Sequence, residues 1–438
     1  MQHILILGIG RSTYYLLQYL HNQILSNGYI ITAIDAQEEL IGKRKAEFPL
    51  IRFLRSGIEK TSIVQYVKKA DVVISMLPPA FHASVAELCL HEGKHFFTAS
   101  YVSPEIKAMS QEAQQKNLLI MMECGLDPGI DHMSAIALID SLKEQGAEIT
   151  TFESFTGGLV HPTCTNPPWN YKVSWNPRNV VLAGQGTPAQ YREGGEIKLL
   201  PYKELFVNPS VWKISEANVY EGYPNRDSLS YQSLYKLEQA QTFIRGTLRY
   251  PGYCKGWNYL VQLGMTDDSV VLEEDPARTG RSFLNQFLPQ GEKTIEEKLS
   301  ALFGNEDVAS YFNALGLLNE DPITTTAGTA AHILQTIIEK QWKLAAEDKD
   351  RIVMIHRIGY VLNGKQHVIQ SNLLVDGEDA ERTAMAKTVG LPLAIAVDLF
   401  LQGKIKSRGV QIPITEEFFK PILQRLEEFG VVFKETEV

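Results

Sequence analysis

The sequence predicts an α/β protein: an N-terminal, doubly wound parallel sheet, then an α+β domain that carries a helical insertion. Three observations point there. Over residues 1–124 short β-rich runs alternate with amphipathic helical stretches. From Glu148 onward Gly, Pro, Tyr and Trp concentrate and period-2 runs replace that rhythm, and between about Arg278 and Asp350 the pattern turns helical. At ~150 residues per domain, 438 residues suit about three domains, or two with a large insertion.

The first sheet is read from His3–Leu7, Ile30–Ile34, Ile51–Leu54, Val72–Met76, Phe96–Ala99 and Leu118–Met121, with helical patterns such as Tyr14–Leu25 and Phe81–His91 between them. Strands alternating with helices imply right-handed βαβ units and a parallel sheet covered on both faces. In the second domain, Glu148–Ser154, Val180–Ala183 and Ile352–Ile355 read as strands of a mainly antiparallel sheet. Ser282–Leu288, Ile295–Phe303 and Ala330–Leu344 read as the helices of the insertion. The expected domains are 1–124, a Rossmann-type doubly wound domain; 125–277 with 351–377, an α+β domain; 278–350, the helical insertion; and 378–438, a C-terminal segment.

Composition removes several functional classes. Forty-two Lys+Arg against fifty-one Asp+Glu give a net charge of −9 with no basic run, which disfavours a nucleic-acid partner. No stretch approaches the ~18 uninterrupted apolar residues of a membrane span; the nearest, Val389–Leu401, carries Asp398. The N-terminus lacks a charged region followed by a cleavage site. Cys89, Cys124, Cys164 and Cys254 lack CxxC spacing, which fits neither a disulfide scaffold nor a zinc site and suits a reducing cytoplasm. The expectation is a cytoplasmic enzyme without a metal and without a membrane.

The opening strand ends in Gly8-Ile9-Gly10-Arg11-Ser12-Thr13 and runs into a helical pattern. The first glycine permits a tight turn and the second lets backbone N–H groups approach a pyrophosphate at the positive end of the helix. A ligand-free turn would use the same glycines, but a strand before and a helix after supply the context a dinucleotide needs. Thr13 replaces the third glycine, so the helix is expected slightly farther from the strand. Asp35 closes the second strand, where a carboxylate accepts from the ribose hydroxyls of NAD and repels the 2′-phosphate of NADP. NAD is therefore the expected cofactor; NADP stays open, because Lys43, Arg44 and Lys45 follow. Leu77-Pro78-Pro79 and Ser100-Tyr101 sit at carboxyl ends of parallel strands, where ligands bind in such sheets, although a Pro-Pro pair also makes a rigid loop without function.

Cys124-Gly125-Leu126-Asp127-Pro128-Gly129-Ile130-Asp131-His132 puts two carboxylates and a histidine on a Gly/Pro-rich turn at the same sheet edge, a placement suited to acid–base work. Asp127 is read as functional. Asp131 is either part of the site or the cap of the next helix, since Asp-x-x-Ser runs to Ser134. Beyond it, Tyr223-Pro224-Asn225-Arg226-Asp227-Ser228 and Arg245-Gly246-Thr247-Leu248-Arg249-Tyr250 offer loop and strand arginines suited to bidentate carboxylate binding. Together they suggest an anionic substrate bound between domains.

With these motifs assembled, the chain resembles the saccharopine dehydrogenase (saccharopine reductase) family, glutamate-forming type. Ala99-Ser100-Tyr101-Val102-Ser103-Pro104, Gly125 to His132, Tyr223 to Ser228, Arg245 to Tyr250, Lys387-Thr388-Val389-Gly390-Leu391-Pro392 and Lys404 to Val410 carry the likeness from first strand to last helix. The resemblance implies NAD(P)-dependent, reversible oxidation of saccharopine to L-glutamate and aminoadipate semialdehyde, a homodimer, and a C-terminal segment returning to the nucleotide domain. By the same resemblance Gly8, Gly10, Arg11, Ser12, Thr13, Asp35, Leu77, Pro78 and Ser100 would hold the cofactor. Ser100, Tyr101, Asp127, Arg226, Arg245 and Thr247 would line the substrate, with Asp127 or Tyr101 as the base. Two departures stand out: Thr156 occupies the place of a fungal cysteine, and Asp35 departs from the NADP-linked fungal enzymes. Two rival readings are an imine reductase acting on polyamines, similar to carboxynorspermidine synthase, and a non-catalytic dinucleotide-binding protein.

Overall fold

The structure is a computed structural model that describes residues 1–304 and 307–438. The chain forms two compact units, Met1–Glu148 with Leu373–Lys434, and Ile149–Asn372 with Glu435–Val438.

In the first unit β1 (His3–Leu7), β2 (Ile30–Asp35), β3 (Arg52–Arg55), β4 (Val72–Ser75), β5 (His95–Thr98) and β6 (Leu119–Met121) join a C-terminal strand, Gly409–Gln411. Its order is Gly409–Gln411, β6, β5, β4, β1, β2, β3, and every neighbouring pair is parallel. Ile4 to Leu7 and Val72 to Ile74 are fully buried, as uninterrupted apolar runs should be when helices cover both faces. The chain reverses direction of assembly between β1 and β4, so their carboxyl ends flank the crevice where such sheets bind ligands.

The segment 125–148 lies in this unit, not in the second domain to which the sequence reading gave it. The reason is packing: its helix, Ile130–Glu144, lies against the C-terminal helix Glu416–Glu427.

The helix Ala384–Leu401 corrects another expectation. At 18 residues and a mean hydropathy of 1.7 it is long and apolar enough to cross a membrane, although 83% of it is buried inside the structure. It packs on α1 (Tyr14–Asn27), and Gly390 makes the close crossing possible: a Cβ there would stand 2.9 Å from the Leu16 nitrogen. Asp398, 1% exposed, accepts from Tyr19 Oη at 2.9 Å, Tyr29 Oη at 2.7 Å, Asn27 Nδ2 at 3.0 Å and Gln402 Nε2 at 2.9 Å. A buried charge with four donors is a satisfied core group.

The second unit has a nine-stranded sheet that is mixed rather than purely antiparallel: Thr242–Arg249 runs parallel to Glu148–Val160 and antiparallel to Asn218–Pro224. The helices Gly280–Asn285, Ile295–Phe303, Val308–Ala314 and Ala330–Gln341 share one core with the helix Tyr253–Leu263 and with Trp169 and Tyr171. The insertion therefore has no core of its own. Val180–Ala183, expected as a strand, instead ends the short helix Pro177–Val181, whose start is set by Pro177 and by the Asn176 side chain accepting from Arg178 N at 2.9 Å. Four apolar residues fit a buried helical turn as well as a strand, and the flanking Asn-Pro decides.

Candidate active site

The glycine turn after β1 is shaped by backbone demands. Gly8 has φ +86°, and a Cβ on it would lie 3.0 Å from the Met76 carbonyl oxygen, so the end of β1 abuts the loop after β4. Gly10 is exposed, and a Cβ there would meet nothing within 4 Å, which leaves open space over the start of the helical segment. That space is what a pyrophosphate would fill, so the turn fits a dinucleotide. Arg11–Thr13 form a 3₁₀ turn leading into α1, and Thr13, 1% exposed, donates its hydroxyl to Gly10 O at 2.7 Å. The threonine thus ties the turn to the helix in a way a third glycine would not.

Asp35 braces the same turn. Its Oδ2 accepts from Ile9 N and its Oδ1 from Gln37 N, each at 2.9 Å. Each oxygen keeps a further lone pair for a ribose hydroxyl. Two of the cations held open for a 2′-phosphate are engaged elsewhere: Lys43 pairs with Glu381 at 2.7 Å, and Arg44, 2% exposed, pairs with Glu47 at 2.7 Å and Glu381 at 3.0 Å. Leu77 is half-buried and Pro78 exposed on the loop after β4, while Pro79 opens a 3₁₀ turn before the helix His82–Glu92.

His82 is a residue that sequence reasoning missed. It is 3% exposed, and its Nδ1 bonds Ser75 Oγ at 3.0 Å while Nε2 bonds Ser100 Oγ at 2.8 Å. It joins the end of β4 to the loop that carries Ser100. Burial holds the imidazole down at about 4. An unfolded histidine titrates near ~6.5, so the unfolded chain binds a proton that the folded one refuses across that interval. Stability from this group is present above ~6.5 and falls toward pH 4, by up to about 3 kcal/mol at ~1.4 kcal/mol per pH unit. Denaturant midpoints of the wild type and His82→Gln, measured from pH 7 to 4, should therefore converge in acid. Parallel curves would show that His82 is not the titrating group.

The turn after β6 brings Tyr101 and Asp127 together: Tyr101 Oη donates to Asp127 Oδ1 at 2.8 Å, and both side chains are partly exposed. The Asp127-Pro128 peptide is cis. Asp131 is 1% exposed in the first turn of the helix Ile130–Glu144, whose N-cap is Gly129. Its Oδ1 accepts from Gly129 N at 2.6 Å, while Ser134 Oγ donates back to Ile130 O at 2.6 Å, so the Asp-x-x-Ser capping pattern does not form. His132 is fully buried and bonds Glu123 Oε2 through Nε2 at 2.8 Å.

In the second unit, strand register gathers the remaining candidates. Arg245 pairs with Ser154, and Thr247 pairs with both Thr156 and Tyr223. Period-2 alternation then sets Arg245, Thr247 and Arg249 on one face, with Ser154 and Thr156 beside them. Ser154 Oγ bonds the fully buried His356 through Nδ1 at 3.0 Å. Arg226 is exposed in the left-handed region at φ +47°, and its loop is pinned to the strand: Asn225 N donates to Arg245 O at 2.8 Å, and Arg245 N donates to Ser228 Oγ at 2.9 Å. Arg245 is 7% exposed with its guanidinium 4.2 Å from the centre of the Tyr231 ring. Arg249, 4% exposed, lies among the rings of Tyr171, Tyr223 and Tyr253. Among the described residues no three His, Cys, Asp or Glu side chains are grouped to hold a metal ion.

Comparison with known proteins decides the family. Residues 4–121 match the saccharopine dehydrogenase NADP binding domain, and residues 125–431 match the saccharopine dehydrogenase C-terminal domain. The chain belongs to the saccharopine dehydrogenase family. Its nucleotide domain is thus a pyridine-nucleotide-binding domain. Relatives include the saccharopine dehydrogenase [NADP(+), L-glutamate-forming] of Saccharomyces cerevisiae, 32% identical over 84% of each chain. The mitochondrial alpha-aminoadipic semialdehyde synthase of Mus musculus is 31% identical over 98% of this chain. The chain spans 47% of that mouse protein and 40% of the alpha-aminoadipic semialdehyde synthase of Arabidopsis thaliana. Apo saccharopine dehydrogenase (L-Glu forming) from Saccharomyces cerevisiae superimposes with a TM-score of 0.89 at 29% identity, covering 100% of both chains.

Proposed function

We propose that this chain catalyses the reversible, NAD(P)-linked oxidation of saccharopine to L-glutamate and aminoadipate semialdehyde. The observation that carries the reading is the Tyr101–Asp127 hydrogen bond at the carboxyl edge of the nucleotide-binding sheet. The yeast relative of similar length, named for that reaction, supports it. A dinucleotide held at the Gly8–Thr13 turn and by Asp35 would supply the acceptor for the hydride on the substrate's lysine-derived carbon. The protein's part is to remove a proton from the substrate amine and to activate the water that hydrolyses the resulting imine. The hydrogen-bonded Tyr101–Asp127 pair is assigned both tasks, and such help is typically worth ~10²–10⁴-fold. Saccharopine carries three carboxylates; Arg226, exposed on a pinned loop, is assigned to one of them, with Thr247 and Arg245 on the adjoining strand.

Within this reading we assign NAD as the preferred cofactor, on Asp35 and on the prior engagement of Lys43 and Arg44. The names of the matching domain and of the yeast relative argue the other way. Initial rates of nicotinamide reduction with saccharopine, run in parallel with NAD and NADP, test reaction and cofactor together. NAD should win, and Asp35→Ser should narrow its advantage in kcat/KM by about tenfold by removing the repulsive element. Turnover with NADP alone would keep the reaction and discard the role of Asp35. Tight dinucleotide binding without turnover would move the assignment to a polyamine substrate or a non-catalytic role. A cytoplasmic homodimer completes the proposal; sedimentation of the full chain tests the dimer. The unpaired cysteines Cys89, Cys124, Cys164 and Cys254 support a reducing compartment.

A further inference from the structure

We infer that the buried trio Glu123, His132 and Asp131 is a positioning clamp that holds the two loops presenting Tyr101 and Asp127 at their mutual distance. The clamp itself rests on geometry; its catalytic consequence rests on the function proposed above.

The trio touches both loops, on either side of each reacting residue. Glu123 N donates to Ser100 O at 3.0 Å, and Glu123 Oε1 accepts from Val102 N at 3.0 Å, so one residue grips the chain immediately before and after Tyr101. Glu123 reaches that position from the left-handed region, at φ +54°, which a non-glycine residue adopts only when its surroundings require it. Its other oxygen bonds His132 Nε2 at 2.8 Å, and His132 Nδ1 lies 3.6 Å from Asp131 Oδ2. Asp131 then holds the far side of Asp127: its Oδ1 accepts from Gly129 N at 2.6 Å and its own N–H donates to Leu126 O at 3.0 Å. The Tyr101–Asp127 bond closes the ring of contacts.

The three residues are 3%, 0% and 1% exposed, respectively, so the trio lies beneath the partly exposed reacting pair. A lone helix cap needs one carboxylate. Two carboxylates about one buried imidazole are costly to desolvate unless each satisfies a defined partner, and here the partners are the backbones of the two loops. The lever is distance: displacing a reacting group by about 1 Å costs on the order of 10²-fold in rate.

The test uses the full chain as wild type, Glu123→Ala and Glu123→Gln, followed by amide hydrogen exchange and steady-state kinetics. Glu123→Ala removes the side-chain contacts to Val102 N and His132. Exchange should quicken over residues 100–102 and 125–131, with protection of β1 to β4 and the dinucleotide Kd unchanged. Turnover of saccharopine should fall on the order of 10²-fold in kcat with little change in KM. Glu123→Gln keeps an acceptor for Val102 N and should restore both protection and most of kcat. Should Glu123→Ala not fold, His132→Gln carries the same test, with loosening expected over residues 125–131. Unchanged exchange in those two segments would overturn the clamp, as would loosening spread through the whole nucleotide domain with loss of cofactor binding. A wild type without saccharopine turnover would instead sink the proposed reaction, leaving exchange alone to decide on the clamp.

Discussion

Asp127→Asn is expected to lower kcat for saccharopine oxidation by about 10²–10⁴-fold while the affinity for dinucleotide stays within about twofold. Asparagine keeps the size of the side chain and an oxygen for the Tyr101 hydroxyl, but it cannot take a proton. Tyr101→Phe separates the roles. If the carboxylate is the base and the phenol only orients it, the phenylalanine variant loses much less than the asparagine variant. If the proton passes through the phenol, the two losses are similar. The double variant then reports coupling: residues acting as one unit lose little more together than the worse one loses alone. Near-normal turnover in both single variants would show that the pair is not the base and that proton transfer lies elsewhere. Parallel measurement of kcat and KM matters here, because a defect in binding alone would raise KM and leave kcat in place.

Most of the first sheet was legible because β1, β2, β4, β5 and β6 are apolar runs bounded by helical periodicity, and a sheet buried on both faces leaves little else for such runs to be; Gly409–Gln411, a three-residue strand with no such run, was not read. The glycine turn after β1 and the turn carrying Asp127 could be located for a related reason, since both are short Gly-containing strings at strand ends, but the bond between Tyr101 and Asp127 was not read from the sequence. What stayed hidden depends on pairing at long range. His82 reads as an ordinary residue of the helix His82–Glu92 until the fold sets Ser75 and Ser100 on its two nitrogens. Glu123 precedes the motif by one cysteine and carries no signature, because its partners lie on another loop and on the next helix. Val180–Ala183 failed as a strand because four consecutive apolar residues have no period to read. The apolar stretch of the helix Ala384–Leu401 was read only from Val389 onward, because Lys387 interrupts the apolar run without ending the helix.

Gly129→Ala is expected to destabilise the chain by about 2–6 kcal/mol, seen as a fall in Tm of at least about 5 °C, and to abolish turnover in the protein that remains folded. Gly129 has φ +145°, where side chains other than hydrogen are strained, and a Cβ would fall 2.1 Å from the Gly125 carbonyl oxygen and 2.3 Å from the Gly125 nitrogen. Neither atom can yield, because Gly125 N donates to Pro128 O at 2.9 Å and Gly125 O accepts from Ile130 N at 2.8 Å, closing the turn that carries Asp127. Gly10→Ala is the matched contrast. Gly10 has φ −68°, ordinary for any residue, and its added methyl meets nothing. Stability should be unchanged, while the dinucleotide Kd rises about tenfold or more because the methyl occupies the space reserved for the pyrophosphate. Thermal melts and dinucleotide titrations on both variants separate the two meanings of glycine here, one dictated by the turn and the other by the ligand. A Gly10→Ala protein that binds dinucleotide normally would remove the pyrophosphate from that space, whatever the fate of Gly129→Ala.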